Sequence, residues 1–246
     1  MEQSYYEWML RLGTLDIRFV SEVPLQLTER MRNFSVKTEN ADITVKVKVM
    51  RKPFNLPLKK VGEDLLLEYY YDNGYFLAAA RPGTRAPASV TLYKADFTDV
   101  TFYINEEDFP EVMHRMDKIL QLFPIRQLLP VYRMAVLHSS RVEIDRKALV
   151  FTAPSGMGKT TQAKLWKNHV GGKIVSNDRT LIQKNGEIFF TCGYPVDGRE
   201  PVCSSKRIPL GTVIVLRQGS ENRAERLLAG KALKYLMEQT VADGWN

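Results

Sequence analysis

Residues 153–160 read Ala-Pro-Ser-Gly-Met-Gly-Lys-Thr, which places two glycines, a long cationic side chain and a hydroxyl within one short segment. Polyphosphate binding calls for those parts. It needs converging backbone N–H donors, a chain free of Cβ atoms where the phosphates approach, a mobile ammonium group and a hydroxyl oxygen for magnesium. Gly156 and Gly158 let the chain turn around the phosphates, with Ser155 and Met157 completing the loop. Lys159 has the reach for the β- and γ-phosphates, the Thr160 hydroxyl suits a magnesium ion, and Thr161 adds a second hydroxyl. The usual form of this motif begins with glycine, whereas this one begins with Ala153. The segment predicts a nucleoside triphosphate, ATP, bound with Mg2+. It does not specify a reaction, because kinases, hydrolases and switches share such loops.

A second site must decide the chemistry. Phosphoryl transfer to a hydroxyl requires a carboxylate that takes or orients the proton and cations that hold the spreading negative charge. Asp178 ends the apolar run Lys173-Ile-Val-Ser176, and its neighbour Arg179 supplies a cation. Ligands of parallel α/β sheets gather outside the carboxyl ends of the strands, which is where a residue in that position belongs.

The elements that must position these residues follow from the hydrophobic pattern. Ala148–Thr152 reads as a strand running into the loop, and Ala163, Trp166 and Val170 recur behind it at helical spacing. Strand-like segments at 139–144 and 147–152 are joined by a turn at Asp145-Arg146. A hairpin turning at Asn185-Gly186, a buried strand at 211–216 and a closing helix at 229–239 complete an α/β pattern. The first hundred residues read as strands at 15–20, 43–50, 65–71, 74–80, 89–94 and 98–104, with a tight turn at Asp72-Asn73-Gly74. A helix is expected over 109–121, with Val112, Met116, Ile119 and Leu120 on one side and Glu111, Arg115 and Lys118 elsewhere. Pro124 interrupts it before an apolar segment, 125–137. The expected fold is therefore α/β: a mainly antiparallel β region over 1–130, which selects the acceptor or partner, then a P-loop kinase-like domain over 131–246.

Composition is that of a globular protein, 44% hydrophobic and 10% aromatic. The net charge of +7 is unevenly placed: residues 1–137 hold 18 basic and 18 acidic side chains, and residues 138–246 hold 17 and 10. That field favours polyanionic ligands. No aromatic-interleaved basic run points to nucleic acid, and no apolar run of 18 residues or secretory leader points to a membrane, so a cytoplasmic protein is expected. Cys192 and Cys203 read as small interior or loop residues. Lys206-Arg207 and the Arg223/Arg226 pair read as solvated charges.

The frame His138-Ser-Ser-Arg-Val-Glu-Ile, strand, Ala-Pro-Ser-Gly-Met-Gly-Lys-Thr-Thr, helix, Ile-Val-Ser-Asn-Asp-Arg resembles the catalytic domain of HPr serine kinase/phosphorylase and its relatives. These include kinase-like proteins of peptide-modification gene clusters and belong with ATP-dependent phosphoenolpyruvate carboxykinases. The resemblance covers about residues 131–246. It implies a serine kinase acting on a peptide or protein, or on a small hydroxyl substrate, and relatives form homo-oligomers. It implies that His138, twenty residues before Gly158, lies near the transferred phosphate, that Lys159 and Thr160 bind nucleotide and magnesium, and that Asp178 is a base and metal contact. By the same analogy Asp197-Gly-Arg-Glu200 faces the acceptor. Two departures stand out: Asn177-Asp178-Arg179 replaces an Asp-Asp-Arg sequence, and the chain stops after Val241-Ala-Asp-Gly-Trp-Asn246 where relatives continue. A nucleotide-binding regulatory protein with reduced or lost catalysis is the alternative. Decarboxylation of a phosphoenolpyruvate-type substrate ranks last, since His138 and Asp178 lack a third metal ligand in the sequence.

Overall fold

A computed structural model describes residues 5–56, 59–80, 86–110, 114–196 and 202–240. The chain has mixed α and β content, mostly strands in two sheets, and it divides into two compact units after Val131.

In the first unit eight strands form one sheet in the order β1-β2-β3-β8-β7-β6-β5-β4. They are β1 (Tyr6–Leu12), β2 (Leu15–Ser21), β3 (Ile43–Val49), β4 (Lys60–Glu63), β5 (Leu67–Asp72), β6 (Tyr75–Ala80), β7 (Ser89–Tyr93) and β8 (Val100–Ile104). The hairpin of β5 and β6 closes on the pair Asp72 and Tyr75, and Asn73 and Gly74 both take positive φ, as the tight turn requires. Alternation along β2 and β3 buries Leu15, Ile17, Phe19, Ile43, Val45 and Val47. The sheet is not antiparallel throughout: β3 runs parallel to β2 and to β8. Parallel neighbours need long connections, and those on either side of β3 contain α1 (Glu29–Arg32) and the β4–β7 meander. Strands β1 and β4 escape a reading by composition, the first because Glu7, Trp8 and Arg11 break a simple apolar alternation.

Sequence pattern misplaces the helix expected over 109–121. Helix α2 spans Met116–Leu122, with Arg115 at its N-cap and His114 in the left-handed region just before it. A residue with positive φ cannot continue a right-handed helix. Glu111 and Val112 lie outside the described residues. The 125–137 segment splits into α3 (Ile125–Val131) and the beginning of β9.

The second unit contains β9 (Met134–Ile144), β10 (Lys147–Thr152), α4 (Lys159–Val170), β11 (Lys173–Ser176), β12 (Arg179–Asn185), β13 (Ile188–Gly193), β14 (Ile208–Val215) and α5 (Ala229–Gln239). Its strand order is β10-β14-β13-β12-β9-β11, and β10 also pairs with β9. The long strand β9 thereby serves three partners. Its first half pairs with β12, while its second half pairs with β10 and β11. Because β9 is antiparallel to both, β10 and β11 point the same way on either side of it, and β14 lies parallel to β10. The carboxyl ends of β10, β11 and β14 therefore face one end of the sheet.

Period-two alternation in β10 sends Leu149 and Phe151 toward Val142, Ala163 and Trp166, which seats α4. Ala148 and Val150 point into a second cluster with Leu137, Val175 and Ile208, against which Leu236 of α5 packs. Two of the expected helical contacts, Ala163 and Trp166, are made, whereas Val170 is exposed at the last turn before Gly171. The β12–β13 turn centres on Gly186 and Glu187, one residue later than expected, because Asn185 still pairs with Ile188. Among the described residues no helix is long and apolar enough to cross a membrane.

Candidate functional site

Loop 153–158 leaves β10 at its carboxyl end and enters α4 at Lys159. Gly156 and Gly158 have φ of +80° and +92°, so each occupies a conformation that an L side chain adopts only at a cost. A Cβ at either position would meet nothing within 4 Å, so the cradle opens outward rather than against protein. Gly158 caps α4 without any side-chain hydrogen bond, and Gln162 N–H donates to Gly158 O at 2.9 Å in the first turn of the helix. The amides ahead of that bond are the orphan donors of a helix N-terminus, which suit an anion. No acidic residue occupies this first turn.

Lys159 is buried, and its Nζ donates to the carbonyls of Ala153 at 2.8 Å and Pro154 at 3.1 Å. Burial pushes its ammonium pKa down, and Asp178 pulls it back up. The loop thus holds its own cation in place, and one of its amides, Met157 N–H, donates to Pro154 O at 3.4 Å. Thr160, Thr161, Ser155 and Met157 share this segment, with Thr160 half-buried and Ser155 and Thr161 exposed.

The other residues arrive through β9. Ser139 is the register partner of Thr152, the last residue of β10, and the Thr152 hydroxyl donates to His138 O at 2.9 Å. On the opposite edge, His138 is the register partner of Arg179, and Ser139 N–H donates to Asp178 O at 2.9 Å. One strand therefore ties the start of the loop to the Asn177-Asp178-Arg179 bend. That bend is held further by the Ser140 hydroxyl on Asn177 O at 3.2 Å and by the Ser176 hydroxyl on Arg179 O at 2.7 Å. His138 Nε2 stands 3.5 Å from Asp178 Oδ1, both side chains being about one-third exposed.

Burial is the largest influence on His138 and lowers its pKa; Lys159 and Arg179 lower it too, while Asp178 raises it. The outcome favours a neutral imidazole, able to accept a proton beside a carboxylate. Asn177 Oδ1 is buried and accepts no hydrogen bond within the described residues. A buried amide oxygen without a donor suits a cation or its hydration shell. Magnesium keeps several waters and uses one or two protein oxygens together with phosphates. Thr160 and Asp178 offer those oxygens, and among the described residues no group of three or more His, Cys, Asp and Glu side chains converges to form a self-contained metal cage.

Of the residues that the pattern assigned to solvent, Lys206, Arg223 and Arg226 are exposed and Arg207 is half-buried. Arg207 stacks on the Phe190 ring, its Cζ 3.7 Å from the centroid, and Lys206 pairs with Glu143. Arg223 is exposed and lies 3.6 Å from Glu225. Cys192 and Cys203 are both buried thiols, as their small size suggested. The 197–200 segment, including Glu200, lies outside the described residues. Sequence reasoning passed over Arg141, which is completely buried and donates to the Thr191 hydroxyl and to the carbonyls of Ser204 and Lys206. Its neighbours Ser139, Ser140 and Glu143 in β9 are polar too, so the strand's composition carries no signal of its burial. No protein-family model matches this chain, and no curated protein matches it.

Proposed function

We propose that this protein is a Mg2+- and ATP-dependent kinase that transfers the γ-phosphate to a hydroxyl, with serine of a peptide or protein as the acceptor. The observation that carries this reading is the meeting of an open glycine loop, whose cap Gly158 brings no side chain, with a His138–Asp178 pair at the carboxyl ends of β10 and β11. The backbone amides at the start of α4 hold the phosphates, and Lys159 leaves the carbonyls of Ala153 and Pro154 to follow the β- and γ-oxygens. Thr160 and Asp178 would hold magnesium, which neutralises charge on those oxygens when bound. Asp178 orients the acceptor hydroxyl, and the proton released on attack passes to the Asp178–His138 pair, where the neutral imidazole receives it. Arg179, at the start of β12, adds positive charge as negative charge spreads. The β-rich first unit selects the acceptor.

The test is mass spectrometry of a serine-peptide pool and free serine incubated with MgATP and the full chain. One acceptor gains a phosphate with the wild type, and the rate drops by roughly 10²–10⁴ with Asp178→Asn. A second reading is favoured by Asn177, whose amide accepts no proton where a carboxylate would: a nucleotide-binding regulatory protein with reduced or lost catalysis. Saturable ATP binding with no acceptor labelled would support that reading over the first.

A further inference from the structure

The glycine loop accounts for phosphates but leaves the base of a nucleotide without a seat. Beside it lies a cavity of about 290 Å3. Its floor is the carboxyl end of the only parallel pair among the described strands of this unit, β10 and β14, where Leu216 N–H donates to Thr152 O at 2.9 Å. Its rim combines Ala153, Pro154 and Met157 of the loop with Arg217 and Gln218 after β14 and Tyr235 of α5. Loops leaving the ends of adjacent parallel strands form the crevice in which open α/β sheets hold ligands. The volume lies at the low end for small-molecule sites and accommodates a nucleoside rather than a peptide.

We infer that this cavity takes the nucleobase of the bound triphosphate, stacked on the Tyr235 ring and covered by Arg217. The inference rests on the phosphate-loop reading above and extends it to a subsite. Tyr235 is half-buried and lines the cavity, and the Arg217 guanidinium lies 5.5 Å from its ring centroid. Two stacking contacts of about 3.5 Å each need a wider gap than that. Arg217 is exposed, so it swings outward and closes over the far face of the base. Gln218, Glu238 and Gln239 also line the cavity, and residues of these types carry both donors and acceptors for the edge of a purine. The apolar parts of Pro154, Met157, Val215 and Leu216 supply the remaining wall.

The experiment separates the base from the phosphates by titrating the full chain with MgATP and with Mg-tripolyphosphate, which has the phosphates and no base. Wild type binds ATP at least tenfold more tightly than tripolyphosphate. Tyr235→Ala weakens ATP about tenfold and leaves tripolyphosphate unchanged, which also shows that the loop remains folded, while Tyr235→Phe keeps the wild-type preference. Equal affinity of the wild type for the two ligands, or an unchanged ATP preference in Tyr235→Ala, overturns the base site while leaving the phosphate loop standing. Parallel loss of both ligands in Tyr235→Ala with retained circular dichroism overturns it too, since Tyr235 would then serve the loop. If the wild type binds neither ligand, both the subsite and the nucleotide reading fall.

Discussion

His138 is where opposing charges can be separated one at a time. Burial, Lys159 and Arg179 push its pKa below the ordinary 6.5, and Asp178 acts against them. An NMR titration of the ring should therefore give a midpoint below 6.5 in the wild type, a lower one in Asp178→Asn and a higher one in Lys159→Ala. The same shift fixes the sign of a stability effect. As pH falls through 6.5 the unfolded chain takes the proton first, so the contribution of His138 to folding is present above 6.5 and is lost as pH falls toward the depressed native value. A midpoint above 6.5, or one that rises in Asp178→Asn, would contradict this balance of charges. Much of this site was legible residue by residue, because the loop composition dictates its chemistry. The 3.5 Å approach of His138 to Asp178 was not: forty residues separate them, and only the pairing of β9 with β12 brings them together.

Among the elements, the glycine loop and the core beneath it make different demands on small residues. Gly158 has open space beyond its Cα, so Gly158→Ala meets no protein atom and costs roughly 1–2 kcal/mol of backbone strain. Its methyl group stands where phosphates would approach, so ATP affinity should fall by more than tenfold while the fold survives. Equal ATP affinity in that variant would detach the loop from ligand binding. Gly193 is the converse case. A Cβ there would lie 2.6 Å from Cys203 Sγ and 2.8 Å from Ser204 O, so Gly193→Ala should destabilise the second unit by about 1–3 kcal/mol in chemical denaturation. Elements with a clean period, such as β3, β10 and α5, were readable from the sequence. The parallel placement of β3 was not, because apolar alternation reports burial and carries no strand direction. Helix α2 was extended too far because apolar spacing does not register the left-handed backbone at His114.

Across the whole molecule, two sheets with separate cores imply two stability reporters. Phe19 is completely buried in the first unit, and Phe19→Ala should cost about 3–5 kcal/mol there. Hydrogen exchange should then quicken across β1, β2 and β3 while protection of β9 and β10 is retained. Loss of protection throughout would mean that the units unfold as one. The excess of positive charge over residues 138–246 belongs to the same scale, since it concentrates polyanions around the unit that carries the glycine loop. Phosphoryl transfer and the base site both require that loop to hold a triphosphate. The most direct measurement is calorimetric titration of the full chain and of Lys159→Ala with ATP and magnesium. Saturable one-to-one binding by the wild type, weakened at least a hundredfold by Lys159→Ala with the fold intact, is the predicted result; no binding, or equal affinity in the two proteins, would mean that this loop does not hold a triphosphate.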